Sequence, residues 1–217
     1  MAESDEPADT SASVPGPPAK LAEQLRPGIS SVLVLSVLTG CVFPLLLFAL
    51  AWPLFPRQVR GTLVRRGGAV IGSELIGQEF KRPEYFESRP SAAGSGYDGT
   101  ASGGSNLGPN NPKLANGSAD FAGIRRLAEE YRRRNGLASD AAIPIDAVTR
   151  SGSGLDPHIS LANALLQVPR VARARGLTDE VVRRLVTDHL ERRQFGFLGN
   201  PHVSVLELNL ALDEMQK

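Results

Sequence analysis

ISSVLVLSVLTGCVFPLLLFALAW, residues 29–52, runs for 24 residues without a single charge. As an α-helix it would span about 36 Å, enough to cross a hydrocarbon core of roughly 30 Å with modest tilt. Arg26 precedes the run, Trp52 sits at its far edge, and Arg57 and Arg60 follow, so both ends carry residues suited to the headgroup region. The stretch predicts one transmembrane helix, which with its flanks occupies 27–56. Ala49-Leu50-Ala51 has the look of a signal-peptidase site, but the apolar run is too long, and the segment before it is long and acidic rather than short and basic.

The averages of the chain conceal this segment. Over 217 residues the composition is 41% hydrophobic and 22% charged, with a mean hydropathy of −0.12 and a net charge of +1, all ordinary for a globular protein. Divided along the chain, the charge is −3 over residues 1–26, zero over 27–56 and +4 beyond. Residues 1–26 form an acidic, proline-rich tail predicted to be disordered. A single cysteine, Cys41, excludes an internal disulfide framework and any multi-cysteine metal site. The balanced charge offers no argument for nucleic acid.

Ser36, Gly40 and Pro44, spaced four apart, fall on one face of the apolar helix. Ser36 and Gly40 make a small-x-x-x-small pair that lets a partner helix approach closely, and Pro44 frees the carbonyl of Gly40 and favours a kink. Positive-inside counting sets Arg57, Arg60, Arg65 and Arg66 against Lys20 and Arg26, and by itself puts the C-terminal domain in the cytoplasm.

Beyond the helix, residues 57–217 are expected to form one soluble α+β domain. Thr62-Leu63-Val64 and Ala69-Val70-Ile71 flank Gly67-Gly68 as a hairpin does. Residues 91–119 are rich in Gly, Ser and Asn, the composition of a flexible segment, yet lie inside the domain. Asp120 is positioned to cap a helix carrying Phe121, Ile124, Leu127 and Tyr131, with Gly136 ending it and Glu129–Arg133 and Glu130–Arg134 pairing along its outer face. Residues 143–149 read as a strand. Two helical segments, 161–167 and 170–175, are expected to be separated at Pro169, and Thr178 caps a helix with Val182, Leu185, Val186 and His189 inward. Leu206, Leu208 and Leu210 alternate with Glu207 and Asn209, which reads as a closing strand over 203–210. The expected class is therefore α+β, with one N-terminal transmembrane helix followed by a single soluble domain.

Several chemical motifs fail on context. Gly94-Ser95-Gly96-Tyr97-Asp98-Gly99 matches G-x-G-x-x-G, but Pro90 precedes it and more Gly and Ser follow, so neither the feeding strand nor the receiving helix is present. No G-x-x-x-x-G-K-[ST] loop occurs. His158, His189 and His202 have neither H-E-x-x-H spacing nor cysteine partners, and His189 reads as a packed core residue. Residues 151–160 bring Ser153, Asp156, His158 and Ser160 close in sequence, which is compatible with a membrane-anchored hydrolase; Asp156 as a helix cap with Pro157 at the first helical position is the simpler account.

Five stretches taken together resemble the C subunit of the Kdp high-affinity potassium-transporting P-type ATPase. They are Gly72-Ser73-Glu74-Leu75-Ile76-Gly77-Gln78, Arg89-Pro90-Ser91, Ala101 to Pro109, Ser151 to Ser160, and Gln167-Val168-Pro169-Arg170-Val171-Ala172. The resemblance implies a single-pass bacterial inner-membrane subunit with the N-terminus cytoplasmic and the large domain outside, against the arginine count. It implies assembly with a channel-like potassium-binding subunit and a catalytic pump subunit whose ATP affinity it raises. It also implies no catalytic residues, metal or cofactor of its own, with ATP and K+ handled through the complex. The D-K-T-G motif that carries the phosphorylated aspartate in that family's pump subunit is absent here. Partner-helix packing is expected at Ser36, Gly40 and Pro44. Docking on a partner is expected at Gly72, Ser73, Glu74, Gly77 and Gln78, at Ser102, Gly103, Gly104, Ser105 and Asn106, and at Asp156 and His158, where Gly and Ser leave backbone accessible. The same glycines also suit turns within the domain itself.

Overall fold

The computed structural model describes residues 21–216, so residues 1–20 of the acidic tail, and the disorder expected there, lie outside the described residues. The chain divides into two compact units, Met1–Pro56 and Arg57–Lys217.

The described part of the first unit is helical. α1 (Leu21–Val37) runs through a π-helical turn at Leu38–Val42 into α2 (Phe43–Leu54). From Glu23 to Leu54 this makes 32 residues long and apolar enough to cross a membrane. The π turn has a local cause. Pro44 has no N–H to offer the carbonyl of Gly40, and its ring crowds that carbonyl. The backbone widens instead, and the N–H of Phe43 reaches back five residues to the carbonyl of Leu38. The kink expected at Pro44 thus takes the form of a wide turn inside an unbroken helix.

α3 (Pro56–Val59) straddles the division, and the second unit continues with a hairpin of β1 (Leu63–Arg66) and β2 (Ala69–Ser73). Both turn glycines, Gly67 and Gly68, have positive φ, 58° and 84°. That is the backbone a two-residue turn needs to follow the twist of its strands. A long stretch without regular elements leads to α4 (Pro112–Asn116), capped by the Asn111 side chain, and then to α5 (Ile124–Asn135). Next come a 3₁₀ turn at Ile145–Ala147, β3 (His158–Ser160), α6 (Leu161–Arg175), α7 (Asp179–Asp188), β4 (Leu190–Glu191), β5 (His202–Ser204) and α8 (Val205–Glu214). The second sheet is antiparallel in the order β3-β5-β4. The fold is α+β, as expected.

The main core lies between this small sheet and three helices. Ile159 and Val203 face inward from the sheet, against Ala164, Val168, Val171 and Ala172 of α6, Val182 and Val186 of α7, and Val205, Leu208 and Leu212 of α8, with Phe86 inserted from the irregular stretch. A smaller cluster joins Tyr131 to Ala147 and Val148.

Six local expectations are corrected. Residues 203–210 do not continue as a strand. Ser204 accepts a hydrogen bond from the Glu207 N–H, and the buried set Val205, Leu206, Leu208, Asn209 and Leu212 has helical period. The Ser-x-x-Glu signature of a helix start at 204–207 outweighs the leucine alternation. α6 passes through Pro169 unbroken. Losing the bond to the carbonyl of Leu165 costs about 3 kcal/mol, but Val168, Val171 and Ala172 are all fully buried, at roughly 1.5–3 kcal/mol for a large apolar side chain. Asp120 does not cap α5, whose cap position is Gly123; the Asp120 carboxylate takes bonds from Ser118 and Lys113 instead. On that helix Glu130 pairs with Arg126, while Arg134 reaches Glu87. Residues 145–147 form a 3₁₀ turn, and Asp156 precedes a strand rather than a helix; Ser160 caps α6.

Candidate functional site

The five sequence stretches quoted above are dispersed over about a hundred residues, and the fold gathers them around one segment, 151–160. The Gly77 N–H donates to the carbonyl of Leu155 at 2.8 Å. Arg89 donates to the Asp156 carboxylate at 2.8 Å, and Ser91 Oγ to the carbonyl of Gly154 at 2.6 Å. Ser102 Oγ and the Gly103 N–H both reach the carbonyl of Ser153, at 3.0 and 2.9 Å. The last stretch joins indirectly: Gln167 exchanges hydrogen bonds with the backbone of Glu87 and reaches, at 2.9 Å, Asn163, whose N–H donates to Ser160 Oγ.

Backbone approach in this knot is close enough to specify glycine. A Cβ on Gly77 would lie 2.5 Å from the carbonyl oxygen of Asp156, and one on Gly104 would lie 2.8 Å from that of Gly152. Gly72 leaves room for the Gln78 side chain, whose Nε2 donates to the carbonyl of Ile71. Ser73 Oγ donates to the carbonyl of Gly61, and Glu74 pairs with Arg57. Ser105 and Asn106 continue outward, Asn106 at a φ of 50°. In the helix, a Cβ placed on Gly40 would meet no atom within 4 Å beyond the helix's own adjoining backbone, and Ser36, Gly40 and Pro44 are all exposed.

Electrostatics reinforce the knot. Burial works to raise the Asp156 carboxyl, but hydrogen bonds from His158 and Arg89 outweigh it and hold the group down at about 2. Tyr97, whose hydroxyl donates to the carbonyl of Arg89, is pushed up to about 12 by burial and by the nearby carboxylates of Glu79 and Glu87. Beside the knot is a polar cleft of about 300 Å³ whose charged lining is balanced, with Glu79, Glu87 and Glu130 against Lys81, Arg134 and Arg150. At its edge Arg170, only 8% exposed, donates to the carbonyls of Pro83 and Tyr85 and faces Glu87. Burial lowers its pKa.

The arrangement at 151–160 is not that of a nucleophile and base. Ser153 Oγ accepts from the Leu155 N–H, while Ser160 Oγ donates to Asp146 at 2.9 Å and accepts from the Asn163 N–H. His158 turns its Nδ1 toward Asp156 at 3.5 Å and its ring toward His202, 4.3 Å between centroids. Among the described residues no hydroxyl is hydrogen-bonded to the His158 imidazole. His189, read as core, is half-buried with Nδ1 at 2.9 Å from the carbonyl of Leu185.

Two features escaped sequence reading. The loop joining β4 to β5 carries Phe195 and Phe197, 87% and 69% exposed, beside Arg192 and Arg193. At the base of that loop, His158, Glu191 and His202 offer ligand atoms that all lie within 4.8 Å of one another. Their sequence spacings match no metal motif, and only the strand register brings them together.

Comparison with known proteins agrees with this assembly of motifs. The family whose model matches residues 25–214 is described as the c chain of K+-transporting ATPase, KdpC. The potassium-transporting ATPase KdpC subunit of Mycobacterium tuberculosis is 50% identical over 192 residues, covering 88% of this chain and 98% of the relative. The KdpC subunit of Sorangium cellulosum is 53% identical over 190 residues, covering 87% and 96%. That of Rhodopseudomonas palustris is 47% identical over 203 residues, covering 88% and 96%.

Proposed function

The chain belongs to the KdpC family, the c chain of K+-transporting ATPases, and from that premise we propose that it is the non-catalytic accessory subunit of an ATP-driven potassium uptake complex in a bacterial inner membrane. The observation that carries the reading is the extent of the match, which takes in both the apolar helix and the whole domain. In this reading the helix crosses the membrane once, with the N-terminus in the cytoplasm and the domain outside. Its face at Ser36, Gly40 and Pro44 packs against helices of the channel-like potassium-binding subunit and the catalytic pump subunit. The exposed edge of the knot, made by the stretches Gly72 to Gln78, with Ser73 and Gly77 buried beneath it, and Ser102 to Asn106, and by Asp156 with His158, docks on the potassium-binding subunit. ATP and K+ are handled by the partners.

The subunit raises the pump's affinity for ATP by coupling through the membrane subunits rather than by touching nucleotide. An outward domain has no access to cytoplasmic ATP, so its effect is a coupling free energy between distant sites, typically about 1–3 kcal/mol. The balanced charge of the cleft, three acids against three bases, supports this over a phosphate pocket. Complexes purified with and without the chain test it: its presence lowers the KM for ATP by about 5–150-fold at unchanged nucleotide chemistry, and an equal KM in both preparations overturns it. Gly40→Leu puts a branched side chain on the packing face of the helix. Retention of the polytopic partners should fall sharply on purification, and full retention rejects the packing role.

A further inference from the structure

We propose that His158, Glu191 and His202 form a binding site for a divalent transition metal of the zinc type, on the outer face of the β3-β5-β4 sheet. The inference is independent of the potassium-pump reading.

Register places the three side chains together. Glu191 lies directly opposite His202 across β4 and β5, while Ser160 opposes His202 and His158 opposes Ser204 across β3 and β5. His158, His202 and Glu191 therefore share a face, opposite the one on which Ile159 and Val203 enter the core. His202 Nε2 is 3.6 Å from the Glu191 carboxylate, and the two imidazoles meet edge to face. Tetrahedral zinc with ligands at about 2.0–2.1 Å sets them roughly 3.3 Å apart. One pair is already near that separation, and small rotations of half-exposed side chains bring in the third.

The surroundings of the two imidazoles are those of metal-binding histidines. Such a residue usually gives its other ring N–H to a carboxylate or backbone carbonyl, which fixes the tautomer and leaves the opposite nitrogen free to ligate. His202 Nδ1 lies 2.8 Å from the carbonyl of Asn200, which directs Nε2 outward. His158 Nδ1 faces Asp156 at 3.5 Å, and Asp156 is anchored by Arg89 at 2.8 Å. Each imidazole thus has its own oxygen acceptor behind it. Two histidines and one carboxylate leave one coordination position for water or for a ligand from outside the chain. Because Glu191 and His202 stand at the two ends of the 192–201 loop, bound metal would staple the loop that presents Phe195 and Phe197.

The test uses the full chain in detergent, without a histidine tag and stripped of metal by chelator, titrated calorimetrically with Zn2+; Co2+ absorption reports the geometry. One Zn2+ binds per chain, Co2+ gives a tetrahedral spectrum, and amide exchange across 192–201 slows. His158→Ala, His202→Ala and Glu191→Gln each weaken binding by at least about tenfold, whereas His189→Gln leaves it unchanged. Glu191→Gln keeps size and shape at a 56% exposed position, so its loss of affinity is not a folding effect. The site is overturned if wild type binds no stoichiometric Zn2+, if the His158→Ala/His202→Ala double variant binds as wild type does, or if Glu191→Gln binds undiminished.

Discussion

The apolar helix from Glu23 to Leu54 and the irregular segment from Glu74 to Asn111 solve the same problem by opposite means. In the helix, hydrogen bonding is local, and the large apolar side chains from Leu25 to Leu54 are exposed. In the irregular segment regular backbone bonding is missing, yet its residues are tied down by side chains from elements far along the chain. Asn209 on α8 clamps both the N–H and the carbonyl of Phe86, and Arg175 on α6 donates to the carbonyl of Glu84. Buried backbone must find partners somewhere. A helix supplies its own, and so can be released to a membrane or another subunit; the irregular segment borrows them, from distant helices around Phe86 and from the 153–154 loop at Ser91, Ser102 and Gly103, and becomes inseparable from the core.

The contrast breaks most visibly at Phe86. It is fully buried in the main core, so Phe86→Ala should cost about 3–5 kcal/mol of domain stability, read from denaturant unfolding of the full chain in detergent. A loss below about 1 kcal/mol would mean that the irregular segment is only draped over the core. A middle-sized effect is expected from acid. The Asp156 carboxyl sits at about 2 in the folded protein against about 3.9 unfolded. Its stabilisation, on the order of 2 kcal/mol, is complete above about pH 5 and disappears as pH falls through 2. The stability gap between wild type and Asp156→Asn should therefore narrow between pH 5 and 2, and a gap that stays constant would remove the ionic hub from the knot. The smallest effect sharpens the other side of the comparison. Leu46 is 52% exposed in α2, and Leu46→Ala should change the domain's unfolding by less than about 0.5 kcal/mol.

Legibility follows the same divide. The apolar helix could be read because every residue in it votes for the same outcome within a few positions. So could the Gly67-Gly68 hairpin and the Thr178 cap, whose side chain accepts from the Val181 N–H. Errors arose where two local signals competed, as with the leucine alternation against the Ser204–Glu207 cap, or where packing overrode a breaker, as at Pro169. The knot was visible as motifs but not as geometry, because Arg89 meets Asp156 across 67 positions, and nothing local announces such a pairing. The histidine–glutamate cluster was invisible for a related reason: three short strands must settle their register before His158, Glu191 and His202 become neighbours.

The Asn209 clamp on Phe86 also orders events in time. It closes a loop of 123 positions, and a contact of such sequence separation must be preceded by a large loss of chain freedom. While the chain is being synthesised, the helix can form and leave the aqueous phase, but the backbone around Phe86 meets its first helical partners, Gln167, Arg170 and Arg175, only with α6, and the clamp on Phe86 itself closes only when α8 has emerged. The backbone of Phe86 is therefore satisfied only once the last helix of the domain is in place.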